Sequence, residues 1–200
     1  MRHLNHRALF NCCVGIFMMT LLALVGGMQA AHSVTVPGAP QKKAAGPCGD
    51  KSKRYFDCGN GTVTDSVTGL IWLKDSNCLG SSDWEAARKA VANLKDGDCM
   101  LKDGSAPGDW RLPTQMEWLA TMEKPKAMSC TGPVLTNDAG TGCISAGPSP
   151  FPSVEADYYW SNTKEGEAQA YIGDIDHGNL LKANLINSIR VWPVRGGAQK

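Results

Sequence analysis

The chain has 200 residues, with 20 Lys and Arg against 19 Asp and Glu and a formal charge of +1. So even a balance supplies no electrostatic footprint for nucleic acid or for an anionic membrane surface, and a DNA-binding role is set aside. Its eight cysteines point instead to a protein that leaves the reducing cytosol.

Arg2, His3, His6 and Arg7 precede an apolar stretch centred on Val14 to Val25, which ends at Gly26-Gly27-Met28-Gln29-Ala30. This is the layout of a secretory signal peptide, read as residues 1–31, with cleavage points at Ala30 or at Ala31 and Ser33. An uncleaved anchor over Ala8 to Gly27 is the alternative. Cleavage would leave 18 basic and 19 acidic residues, no membrane span in the mature chain, and a periplasmic or extracellular location. Residues 32–53, rich in Pro, Gly, Ala and Lys, read as a linker. Residues 54–197 are the length of one ordinary domain with one core.

Cys12 and Cys13 fall in the signal region, leaving Cys48, Cys58, Cys78, Cys99, Cys130 and Cys143. Six cysteines allow about fifteen pairings, and the sequence alone does not select among them. The simplest expectation joins neighbours along the chain: Cys48–Cys58, Cys78–Cys99 and Cys130–Cys143. Each would contribute on the order of 2 to 4 kcal/mol. The closely spaced cysteine pairs of a zinc site are absent, so no metal site is assigned to them.

Arg54 to Phe56 and Thr62 to Thr64 flank an Asp-Cys-Gly-Asn-Gly turn, and Leu70-Ile71-Trp72-Leu73 supplies a third strand. Ser82 or Asp83 caps a helix with Trp84, Ala87, Val91 and Leu94 on one face, ended by Asp96-Gly97. Thr114 and Glu117 form a capping box for a second helix, whose Met116, Leu119, Ala120 and Met122 are expected to face inward and which Pro125 should stop. Ser129 to Ser153 has almost no periodicity and reads as a long, irregular excursion held by Cys130 and Cys143. Tyr158 to Ser161, Ala168 to Ile175, Asn179 to Leu185 and Ile189 to Val194 complete an antiparallel sheet.

Four phrases occur in order: Gly61-Thr62-Val63-Thr64-Asp65 with Thr68-Gly69-Leu70-Ile71-Trp72, then Trp110-Arg111-Leu112-Pro113-Thr114, then Tyr159-Trp160-Ser161-Asn162-Thr163, then Val194-Arg195-Gly196-Gly197. On these the chain resembles the Lcl C-terminal domain family, over about residues 54 to 197. The resemblance implies a disulfide-stapled α+β fold of the C-type lectin-like kind, an antiparallel sheet with two helices and a long irregular loop region. It also implies an adhesin-type domain associated with trimerisation and with sulfated polysaccharides. The collagen-like Gly-X-Y repeats of the family's namesake are absent here, and Val191-Trp192-Pro193 stands where many relatives carry an Arg-Cys pair. The Arg111-Leu112-Pro113-Thr114 phrase is also similar to one in formylglycine-generating sulfatase-modifying enzymes, but the cysteine those enzymes use in this region is missing.

Two oxygen clusters are candidates for Ca²⁺, the second also for sugar hydroxyls. Asp57, Asn60 and Asp65 surround a hairpin turn that explains them without a ligand. Asp174 and Asp176, placed on one strand face by alternation and followed by His177, Gly178 and Asn179, form the second. No cofactor is assigned. Among the six tryptophans, Trp72, Trp84, Trp110 and Trp118 read as core, whereas Trp160 with Tyr158 and Tyr171 is the candidate sugar-stacking platform. Arg111 reads as structural, its planar fork holding loop carbonyls or Glu117. No nucleophile, triad or paired acid is visible. The expected role is therefore non-catalytic recognition of a glycan or cell-envelope polymer, by a ligand set of Tyr158, Trp160, Tyr171, Asp174 and Asp176. A structural or assembly protein binding other proteins is the alternative, and an enzyme of the sulfatase-modifying scaffold type is the third reading.

Overall fold

The computed structural model describes residues 43–49 and 51–197, so the signal segment and most of the linker fall outside the described residues. In chain order the elements are β1 Tyr55–Asp57, β2 Thr62–Asp65, β3 Leu70–Leu73, β4 Ser81–Ser82, α1 Trp84–Asn93, α2 Gln115–Ala127, β5 Tyr158–Glu165, β6 Gln169–Asp174, β7 Asn179–Asn184, β8 Ile189–Arg190 and β9 Val194–Gly196. They form two sheets, ordered β1-β2-β3-β9 and β4-β8-β5-β6-β7. All pairings are antiparallel except that of β5 with β8, which runs parallel at Tyr159 and Arg190. This is an α+β architecture with two helices and three disulfides, Cys48–Cys58, Cys78–Cys99 and Cys130–Cys143. Among the described residues no helix is long and apolar enough to cross a membrane.

The β1–β2 hairpin needs a glycine at Gly61, where φ is +84° and a Cβ would lie 2.7 Å from the Met100 carbonyl oxygen. The linker's last residues are tied to the domain: the Ala45 N–H donates to the Asp103 carbonyl at 2.7 Å, and Cys48 joins Cys58.

Asp83 caps α1 by accepting from the Ala86 N–H at 2.9 Å, and Trp84, Ala87 and Val91 are buried. The second helix opens with the expected capping box. The Arg111 guanidinium clamps Glu117 with two bonds of 2.7 Å and also donates to the Gly196 carbonyl at 3.0 Å, so one arginine fixes the helix start against β9. Burial pushes the Glu117 carboxyl up, but the bonds from Arg111 and from the Thr114 N–H outweigh it and hold the group below the ordinary glutamate range.

Two expectations for α2 are corrected. Its buried face is Trp118, Thr121, Met122 and Pro125, whereas Met116 is 62 % and Leu119 41 % exposed and Ala120 is exposed as well. Both sets follow helical spacing, and the sheet selects the one that carries the tryptophan. Pro125 lies inside the helix rather than beyond it. A proline there removes the N–H that would bond the Thr121 carbonyl, and the buried Arg54 guanidinium takes that carbonyl at 3.1 Å instead.

The stretch from Ile189 to Val194 also differs from expectation. It is two short strands in different sheets, β8 and β9, joined by Val191-Trp192-Pro193. The Trp192 ring lies 4.6 Å from Trp72, 5.0 Å from Phe151 and 5.7 Å from Tyr159, between centroids. Its Nε1–H donates to the Leu73 carbonyl at 2.7 Å. The core is thus aromatic and sits where the chain passes from one sheet to the other. The irregular segment from Ser129 to Ser153 is more than surface, since Leu135 and Phe151 are buried in that core.

Two outcomes are expected. Gly173 faces the Trp118 ring so closely that a Cβ would lie 2.7 Å from Cδ2; Gly173→Ala should therefore cost about 1 to 3 kcal/mol in urea unfolding. Because the folded pKa of Glu117 is lowered, its contribution is fully present above the ordinary glutamate pKa and is lost as pH falls through the lowered value. A stability titration should show that acid loss in the native protein, and Glu117→Gln should flatten it while lowering stability near neutral pH.

Candidate functional site

The proposed ligand set does not converge. Trp160 is 0 % exposed, and its Nε1–H donates to the Ser82 carbonyl at 2.9 Å, because β4 closes over it. Trp160 is a core residue and offers no face to a ligand, which corrects the expected platform. Tyr158 shares its face of β5 but lies beyond that cover and is 41 % exposed. Tyr158 stands opposite Asp174 across β5 and β6. Tyr171, three residues from Asp174, therefore points to the other face of the sheet. There its hydroxyl donates to Glu165 at 3.0 Å.

Alternation does not place Asp174 and Asp176 together either, since β6 ends at Asp174 and Ile175 turns into the core. The turn gathers them by another route. The His177 ring puts Nδ1 3.2 Å from an Asp174 carboxylate oxygen and Nε2 3.7 Å from one of Asp176. Asp174 is only 3 % exposed and also accepts from the His177 N–H at 3.2 Å, so its carboxylate is occupied by the turn that follows it.

The hairpin cluster is likewise engaged locally. Asp57 accepts from the Gly59 N–H at 2.9 Å and pairs with Lys74 at 2.6 Å, while Asn60 accepts from the Thr62 hydroxyl at 2.7 Å. Asp65 is buried, accepts from the Val67 N–H at 2.9 Å and faces Arg54 at 3.5 Å. Among the described residues no group of three or more His, Cys, Asp or Glu side chains is placed to hold a metal ion.

What Tyr158 does line is a groove of about 610 Å³ on the second sheet, with Ile172, Leu181 and Ile189 as its apolar floor and Asn187 and Ser188 on the β7–β8 turn as its polar rim. That volume suits one small ligand or a short stretch of polymer. A second concave surface, of about 660 Å³, runs along the exposed side of α2 past Met116, Leu119 and Ala120.

Among known families, the model of the Lcl C-terminal domain matches residues 61–195. The chain belongs to this family. The match spans all four sequence phrases except the closing Gly196-Gly197. No curated protein matches the chain. Within this Lcl C-terminal domain, the family phrases map mainly to scaffold: Trp72, Trp110, Leu112, Tyr159, Trp160 and Val194 are all buried. The groove residues Leu181, Asn187 and Ser188 lie outside those phrases, and their only mark in the sequence is a polar Asn-Ser turn between two short strands.

Burial separates the two aromatic neighbours on β5. Trp160→Ala should cost about 3 to 5 kcal/mol in denaturant unfolding, whereas Tyr158→Ala should stay within about 0.5 kcal/mol of the native protein.

Proposed function

We propose that this Lcl C-terminal domain is an exported, non-catalytic recognition module that binds a glycan or cell-envelope polymer in the periplasm or outside the cell. The observation that carries the reading is the sheet groove, where an exposed tyrosine stands over an apolar floor and beside a polar turn. An aromatic face suits the apolar face of a sugar ring, and nearby amides and hydroxyls suit its hydroxyl groups. The overall arrangement of two small sheets, two helices and a long stapled segment fits the C-type lectin-like fold that the family resemblance implies. Export accords with three disulfides, which persist in oxidising compartments.

The non-catalytic part of the reading draws on the same features. All six cysteines among the described residues are paired, so no thiol is free to act as a nucleophile there. The one histidine among them is held between two carboxylates rather than beside a hydroxyl or thiol.

A second reading, a protein-binding role in envelope assembly, is favoured by the exposed Met116 and Leu119 on α2. The two are separated by presenting the oxidised protein to an array of sulfated, acidic and neutral glycans and envelope polymers, with and without a chelator, beside a concentration series of its mass. Selective retention on a glycan is the expected result. A blank array from folded protein, together with a discrete oligomer, would replace recognition of glycan by recognition of protein.

A further inference from the structure

The charges around the sheet groove are already spent, and that restricts what it can hold. Among the described residues Lys182 is the one cationic residue lining it. Its Nζ donates to Glu165 at 2.6 Å and lies 5.5 Å from the centroid of the Tyr171 ring, on the sheet face away from Tyr158. The hydrogen bond to Lys182 holds the Glu165 carboxyl below its ordinary range, and the same bond raises Lys182, as expected of two groups committed to each other.

Arg190 on β8, next to the groove's Ile189, is engaged at all three nitrogens. It donates from Nε to Asp157 at 2.6 Å, from one terminal nitrogen to Asn77 at 3.0 Å and from the other to Glu155 at 2.5 Å. Asp174, opposite Tyr158, is closed over by the His177 turn. An anionic polymer would therefore have to break an ion pair to gain one, an exchange worth little at a solvated surface.

What remains available is uncharged. The Tyr158 ring and Leu181 are exposed, Ile172 and Ile189 form the floor, and the side chains of Asn187 and Ser188 are exposed and make no hydrogen bond among the described residues. At one end the Gln169 amide donates to Asn184 at 3.3 Å, a contact that leaves each amide further donors and acceptors. An apolar strip edged by amides and a hydroxyl complements a chain of sugar rings, which alternates apolar faces with hydroxyl edges.

We propose that this groove binds a neutral, hydroxyl-rich glycan rather than a sulfated or acidic one, with Tyr158 as the stacking platform and Asn187 and Ser188 as the hydroxyl-binding edge. The inference rests on the recognition role above and names its ligand class.

The test is calorimetric titration of the full oxidised protein with neutral oligosaccharides of hexose or N-acetylhexosamine units, and with heparin as the sulfated probe, at about 50 and about 500 mM NaCl. Expected is binding of a neutral oligosaccharide whose affinity changes less than about twofold between the two salts. Tyr158→Ala should weaken it about tenfold or more, Tyr158→Phe should retain it, and Asn187→Ala should weaken it less than Tyr158→Ala does. Circular dichroism and urea midpoints confirm that each variant is folded.

Heparin binding that is lost at high salt and indifferent to Tyr158→Ala, with no neutral binding, would keep glycan recognition and overturn the neutral groove. Neutral binding unaffected by both Tyr158→Ala and Asn187→Ala would overturn the assigned site. Absence of binding to every glycan by folded protein would overturn the recognition role and this inference with it.

Discussion

The structure depends on the point where the chain returns from β8 of the second sheet to β9 of the first. Trp192 sits at that point, ringed by Trp72, Trp118, Phe151 and Tyr159 and bonded through its indole N–H to the Leu73 carbonyl. Short strands cannot bury enough surface alone, and β8 and β9 have only two and three residues. The large aromatic between them supplies the burial that the strands lack, and tilted and edge-on ring pairs add about 0.5 to 1.5 kcal/mol each beyond area. Pro193 completes the junction, its carbonyl accepting from the Leu73 N–H at 3.1 Å where a continuous strand would otherwise run. The position at which this chain carries Val191-Trp192-Pro193 is therefore where the second sheet hands the chain back to the first.

A second dependence runs through buried arginines. Arg54 faces Asp65, stacks 4.8 Å from the Tyr55 ring centroid and takes the Thr121 carbonyl freed by Pro125. Arg195 pairs with Asp103 at 2.9 Å and lies 5.2 Å over Trp110. Both tie irregular chain to a sheet strand or its flank, and the planar guanidinium suits a site that asks for an ion pair and a ring contact at once. Buried pairs of this kind are weak sources of net stability, because desolvation offsets the attraction. Removing one partner is costly, so they act chiefly to fix geometry.

Much of this scaffold was legible because its signals are local. Asp83 and Thr114 announce both helices, Asn60-Gly61 announces the first hairpin, and neighbouring cysteines pair. The failures share one physical cause, which is that distant parts of the chain decide them. α2 carries two interleaved apolar stripes, and only the sheet determines that Trp118 rather than Leu119 is covered. Pro125 reads as a stop until an arginine from far upstream replaces the missing bond. Tyr158 and Trp160 are equivalent in alternation, yet β4 covers one and leaves the other exposed. The groove residues Asn187 and Ser188 carry no pattern of their own, since a polar turn looks the same whether or not a surface beside it is concave.

The sheet that carries the groove is held differently from the irregular chain around it. The three disulfides bind irregular segments, from the linker end through the Cys130–Cys143 loop, and none reaches β5, β6 or β7. Those strands are held by backbone ladders, with all six residues of β6 in register against β7 and β5 paired to β6 on both sides of a register shift between Trp160 and Lys164. Their inner face is anchored by Gly173 against Trp118 and by the Trp118 indole donating to the Trp160 carbonyl at 3.2 Å. A groove built on such a sheet is preorganised by backbone geometry and core packing, so a ligand there pays little to order it. Covalent staples serve the parts of the chain that cannot form ladders, and the ordered sheet is left free to present its outer face.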